Sequence, residues 1–223
     1  IVALEGVDLA IDRPEIVGLV RPNGAGKTTL IRCLLGLTDP SEGTARVDGT
    51  DATDLRASDR RRLGYMPQRE ALYPALTVAE NVDFFARLYG VPERAEAVDR
   101  ALGFVDLQSR RDARIDELSG GMARRTSLAC TLVADPEVLL LDEPTVGLDP
   151  TLRSTLWSHF RSLRAEGRII LVSTHYLGEA HRCDRVLFLR SGSIVAFDTP
   201  SALLAATDAT DLEEAFRRLV GAR

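Results

Sequence analysis

The run Gly24-Ala25-Gly26-Lys27-Thr28-Thr29, with Asn23 directly before it, combines the residue types that grip a phosphate chain. Glycines let backbone N–H groups close in on an anion. A helix starting at this point adds unpaired N–H donors and the positive end of its dipole. The Lys27 ammonium can reach the β- and γ-phosphates, and the Thr28 hydroxyl can hold Mg²⁺ beside them. Lys27 is the only lysine in the chain; every other long-chain cation is Arg. A compact ammonium on a flexible stem suits phosphate at the one place it is used. Arg21 stands where the usual pattern of such loops begins with Gly.

A second group of residues supplies carboxylates. Leu139-Leu140-Leu141 is an apolar run that ends at once in Asp142-Glu143. A carboxylate at the carboxyl end of a buried parallel strand lies beside a phosphate-binding loop in an open α/β sheet, where Asp142 can hold Mg²⁺ through water. Glu143 can polarise an attacking water as general base. Two acids in a solvated turn are the plain alternative. His175 follows the apolar run Ile169–Val172, and a lone histidine of this kind reads as structural unless the order of motifs around it says otherwise. His159 and His181 fall in helical stretches and read as structural. Gln68 follows Leu63–Met66, and Ser119-Gly120-Gly121 opens a helix whose start is another anion site.

These residues need particular elements to hold them. Ile16–Val20 is continuous and apolar, as a strand buried on both faces would be, and a helix to about Leu35 should follow the loop, stopped by Gly36. Leu4, Val7, Leu9 and Ile11 roughly alternate with polar residues and predict a half-buried strand. With Thr44–Val47 and the Asp48-Gly49 turn it would form a small antiparallel edge sheet. A charged helix is expected over Leu55–Arg62, its Arg60-Arg61-Arg62 run a solvated face. Thr77-Val78-Ala79-Glu80 is a capping box before Val78, Val82, Phe85 and Leu88 at helical spacing, and Pro92–Phe104 predicts a second helix. Residues 69–118 therefore read as a helical insertion, with Phe84, Phe85 and Tyr89 in its core. Helices should also run from Ser119 to about Ala134 and from the Asp149-Pro150 cap to Gly167. Val186–Leu189 and Ile194–Phe197 make a hairpin, and the tail from Ser201 is helical.

Composition narrows the function classes. The 223 residues suit one α/β domain with a small subdomain. A net charge of −5 offers no electrostatic footprint for nucleic acid. No apolar run is long enough to span a bilayer, so a membrane link would run through a partner. Cys33, Cys130 and Cys183 lack metal-ligand spacing and read as free thiols in a reducing compartment.

The order of these motifs resembles that of the ATP-binding cassette (ABC) ATPases, the nucleotide-binding subunits of transporters, over essentially the whole chain. Leu118-Ser119-Gly120-Gly121 looks like the signature that separates this family from other P-loop proteins. Gln68 falls at the Q-loop, Gly147-Leu148-Asp149 at the D-loop and His175 at the switch histidine. Met122-Ala123-Arg124-Arg125 and the tail Asp211–Phe216 look like ABC-2-type, drug-resistance-like exporters. The resemblance implies a P-loop NTPase (RecA-like) α/β core over 1–68 and 119–223, with a small antiparallel β edge subdomain and the helical subdomain 69–118. It implies ATP and Mg²⁺, with Thr28, Gln68 and Asp142 at the metal and Glu143, Gln68 and His175 in catalysis. Asn23, Gly24, Ala25, Gly26, Lys27, Thr28, Thr29, Ser119, Gly120, Gly121 and Asp149 would contact nucleotide. The implied partners are a second cassette, homo- or heteromeric and head-to-tail, and a transmembrane permease, but no nucleic acid. The permease would hold the chain on the cytoplasmic face of the cell membrane. Two rival readings stay open: a regulatory subunit that binds nucleotide without turnover, because of Arg21, and a non-transport member of the superfamily.

Overall fold

The computed structural model describes residues 2–20 and 26–221. In chain order the elements are β1 (Ile16–Val20), α1 (Lys27–Leu34), β2 (Arg46–Val47), β3 (Thr50–Asp51), α2 (Ala57–Arg60), β4 (Leu63–Met66), α3 (Val78–Leu88), α4 (Arg94–Phe104) and α5 (Gly120–Leu132). There follow β5 (Val138–Asp142), α6 (Pro150–Ala165), β6 (Ile169–Thr174), α7 (Leu177–Ala180), β7 (Arg185–Arg190), β8 (Ser193–Asp198), α8 (Pro200–Thr207) and α9 (Leu212–Gly221). They group into two compact units, Ile1–Arg60 with Ile169–Arg223, and Arg61–Arg168. The expected insertion 69–118 falls inside the second.

In the first unit β1 lies between β6 and β7, parallel to both, and all of its residues are buried. Burial on both faces is why its sequence is continuously apolar rather than alternating. β7 and β8 form the expected antiparallel hairpin. Its turn puts Ser191 and Gly192 at φ 47° and 86°, the left-handed conformation that two-residue hairpin loops require. β2 and β3 pair around Asp48-Gly49 by the same device, with φ 50° and 76°. α9 buries Leu212, Ala215 and Phe216, with Phe216 edge-on to Phe188 at 5.2 Å.

Two expectations fail here. Leu4, Val7, Leu9 and Ile11 are half-buried with exposed neighbours between them, yet the segment forms no strand. Gly6 at φ 58° breaks the extended run, and Glu5 N–H to the Gly192 carbonyl (2.9 Å) replaces a ladder. The alternation recorded a half-buried surface, not strand pairing. The expected helix 55–62 shortens to α2, and Arg60 is not simply solvated: its guanidinium donates to the Leu35 carbonyl at 2.8 Å, closing the end of α1.

In the second unit β4 and β5 pair in parallel, Leu63 opposite Val138 and Met66 opposite Leu141. α3 starts with the expected capping box, Glu80 N–H to Thr77 Oγ1 at 3.2 Å and Thr77 N–H to the Glu80 carboxylate at 2.8 Å. Its inner face is Val78, Asn81, Val82 and Ala86, whereas Phe84 is exposed, Leu88 is 64% exposed, and Phe85 and Tyr89 are only partly covered. Phe84 is thus not core, while Phe85 and Tyr89 lie part-covered on the same helix face as Val78 and Val82. Asn81 accepts from Tyr73 N–H (2.8 Å) and donates to the Tyr73 and Thr77 carbonyls (3.2 and 2.9 Å), so the helix is turned to face that loop.

α6 begins at the Asp149 cap with Pro150 in its first turn, and buries Trp157 edge-on to Phe160 at 5.6 Å. Both rings are fully buried. Phe160→Ala should therefore cost about 3–5 kcal/mol, read as a lowered urea midpoint with unchanged slope. Among the described residues all the cysteines are buried and free. No helix among the described residues is long and apolar enough to cross a membrane.

Candidate active site

Each unit contributes its own set of the expected residues. In the first, β1 leads into the phosphate-loop segment. Arg21, Asn23, Gly24 and Ala25 lie outside the described residues. Gly26 is the N-cap of α1 at φ 101°, and a Cβ there would stand 2.5 Å from the Ala3 carbonyl oxygen. Only glycine fits that position. Lys27 opens α1 and is buried, with Thr28 exposed and Thr29 partly covered. The first turn holds no acidic residue and no side-chain cap, which leaves a helix start suited to an anion.

β6 runs beside β1, and opposite Val20, the last described residue before the phosphate-loop sequence, stands Thr174. His175 follows directly. Thr174, itself buried, shapes the turn: its hydroxyl donates to Glu179 at 3.1 Å and accepts from Tyr176 N–H at 3.0 Å. The His175 ring is exposed and lies 4.1 Å from that of Tyr176. His159 instead packs on Phe104 at 4.4 Å, as a structural ring would.

In the second unit the β4–β5 register brings two motifs together. Asp142 and Glu143 are buried at the end of β5, 4% and 7% exposed. Gln68, just beyond β4, donates its side-chain amide to Glu143 Oε2 at 3.3 Å. Glu143 takes a left-handed backbone, φ 55°, uncommon for a residue with a Cβ and frequent where a side chain is being aimed.

Ser119 is the N-cap of α5, its hydroxyl accepting from Met122 N–H at 3.3 Å. Capping uses an acceptor lone pair, and a hydroxyl also carries one O–H to donate, so cap and anion contact are compatible. A Cβ on Gly121 would meet the Gly147 carbonyl at 3.2 Å. The Ser119-Gly120-Gly121 turn and the Gly147-Leu148-Asp149 turn therefore pack together. Asp149 Oδ1 accepts from Thr151 and Leu152 N–H at 2.9 and 3.0 Å, which makes it the cap of α6.

Sequence reasoning missed one residue. Arg124 reads as an ordinary arginine of a helix, but it is 4% exposed and bonds the main chain at both Gln68 and Glu143. The available signal was the lack of a clean apolar stripe in α5, which buries Thr126, Ser127 and Thr131 as well.

Thr28 in the first unit, and Gln68 and Asp142 in the second, each carry an oxygen of the hard kind that Mg²⁺ takes. Among the described residues no group of three or more His, Cys, Asp or Glu forms a cage.

Residues 4–146 match the model of the ABC transporter family. The chain is 42% identical over 216 residues to the Nod factor export ATP-binding protein I of Burkholderia lata, covering 96% of this chain and 71% of that one. Among solved structures it superposes on an ATP-binding subunit of an ABC transporter with a TM-score of 0.89, at 32% identity, over 98% of this chain and 93% of the other. A dimeric post-hydrolysis state of the ATP-binding cassette MJ0796, bound to ADP and Pi, gives a TM-score of 0.83 at 27% identity, covering 88% and 90%.

Proposed function

We propose a working cycle from one premise: the chain belongs to the ABC transporter family. It is an ATP-binding, ATP-hydrolysing subunit of an exporter. Within that role Lys27 and the amides at the start of α1 hold the β- and γ-phosphates, with the loop residues Asn23, Gly24 and Ala25 before them. Thr28, Gln68 and Asp142 would hold Mg²⁺, whose charge, when bound, neutralises the developing charge on the phosphates. Glu143 accepts a proton from the attacking water, Gln68 orients that carboxylate, and His175 donates to the γ-phosphate. Ser119, Gly120 and Gly121 present a hydroxyl and helix-start amides to the nucleotide of a second copy, with Asp149 beside them through the turn at Gly147. Two copies thus pair head-to-tail around two ATP molecules and part on hydrolysis. The helical insertion 69–118, joined to the active site at Gln68, passes that movement to a transmembrane permease, which keeps the chain on the cytoplasmic face of the membrane.

The carrying observation is the Gln68–Glu143 hydrogen bond: a residue at the foot of the helical insertion touches the carboxylate that would activate water. The test is phosphate release and light scattering of the purified chain with and without Mg-ATP. Turnover with a nucleotide-dependent doubling of mass is expected; a monomer that binds no ATP refutes the cycle. Arg21 motivates the regulatory reading, and Arg21→Gly separates the two. Comparable phosphate release by both proteins supports an active subunit, whereas turnover only in the variant establishes a degenerate one.

A further inference from the structure

Arg124 lies in α5, five residues beyond Ser119, and its guanidinium spans two other segments. Nη1 donates to the carbonyls of Pro67 (3.1 Å) and Gln68 (2.7 Å). Nη2 donates to the carbonyls of Asp142 and Glu143, the second at 2.8 Å. Burying a cation is unfavourable unless charge and hydrogen bonds compensate it. Here burial pulls the Arg124 pKa down, while Glu70, 3.5 Å from Nη1, and the carboxylates of Asp142 and Glu143 oppose that shift. A helix could be fastened to strands with apolar side chains alone. A buried guanidinium that bonds both strand ends performs something packing cannot: it fixes the direction of main-chain carbonyls.

The carbonyls of Asp142 and Glu143 belong to the peptide units on either side of the Glu143 Cα. Holding both with one nitrogen stabilises the left-handed bend at Glu143, where φ is 55°. That bend aims the carboxylate at Gln68, whose own carbonyl is on the same guanidinium. We infer that Arg124 is a positioning residue of ATP hydrolysis: it sets the Glu143 carboxylate and the Gln68 turn on the helix that Ser119 opens. The residue that activates water in one site and the donors offered to the partner's nucleotide then move as one piece. This rests on the hydrolytic reading above.

The experiment uses Arg124→Lys, Arg124→Met, Gln68→Ala and the double variants of Gln68→Ala with each, beside wild type. Steady-state phosphate release, binding of a fluorescent ATP analogue and thermal unfolding are measured on each. A lysine keeps the charge but lacks the planar fork, so Arg124→Lys should lower kcat by about tenfold or more with the nucleotide Kd changed less than about twofold. Gln68→Ala should lower kcat in wild type and have little further effect with Arg124→Met, because residues in one network are not additive. If Arg124→Met does not fold, the Arg124→Lys background carries the same comparison. Wild-type kcat in Arg124→Lys, or a Gln68→Ala effect that multiplies unchanged in the double variant, overturns the inference. A wild type that releases no phosphate refutes the hydrolytic reading instead, and is seen first.

Discussion

Glu143→Gln should lower ATP turnover by about two to four orders of magnitude while leaving nucleotide binding in place. The reason is local. Glutamine keeps the volume of a side chain that is only 7% exposed, and its amide oxygen can still accept from Gln68 Nε2. What it loses is the ability to take a proton from water. An enzyme that binds but does not hydrolyse should accumulate in the state that precedes hydrolysis. With Mg-ATP the variant should run as a stable dimer by light scattering, at concentrations where wild type is mixed. A variant that stays monomeric with saturating Mg-ATP would show that the paired arrangement is wrong for this chain. Unchanged turnover would take the general-base role from Glu143.

Lys27→Met carries the second large effect. Methionine preserves most of the apolar stem at a site that is 4% exposed, so the substitution removes the charge with limited loss of packing. A hydrogen bond to a charged group contributes about 1.5–3 kcal/mol, so the ATP Kd should rise by roughly one to two orders of magnitude. Calorimetric titration with Mg-ATP reads this directly. An unaltered Kd in Lys27→Met would remove the phosphate from this helix start.

Strands and helix caps were legible because both are local. The apolar runs at Ile16–Val20 and Val138–Leu141 became buried strands, and the caps at Thr77, Ser119 and Asp149 fell where the residue types required. Capping depends on a side chain reaching amides two or three residues away, so sequence alone suffices. Expectations about faces fared less well. Phe84 of α3 is exposed, and the helix instead buries Asn81, which bonds a neighbouring loop, a contact no periodicity records. Leu4–Ile11 has the burial pattern of a strand without the hydrogen bonds of one.

The residue types at Gly26-Lys27-Thr28, at Ser119-Gly120-Gly121 and at Asp142-Glu143 pointed by themselves to phosphate and proton-transfer chemistry, which demands particular donors and carboxylates. Only tertiary structure decided how the second unit's parts are joined. The parallel register of β4 and β5 places Gln68 beside Glu143, and one buried guanidinium from α5 ties both main chains together. Those contacts span 56 and 75 residues of chain in places. Hydrogen bonds over such separations depend on packing that the whole unit must complete, so nothing near either residue announces them.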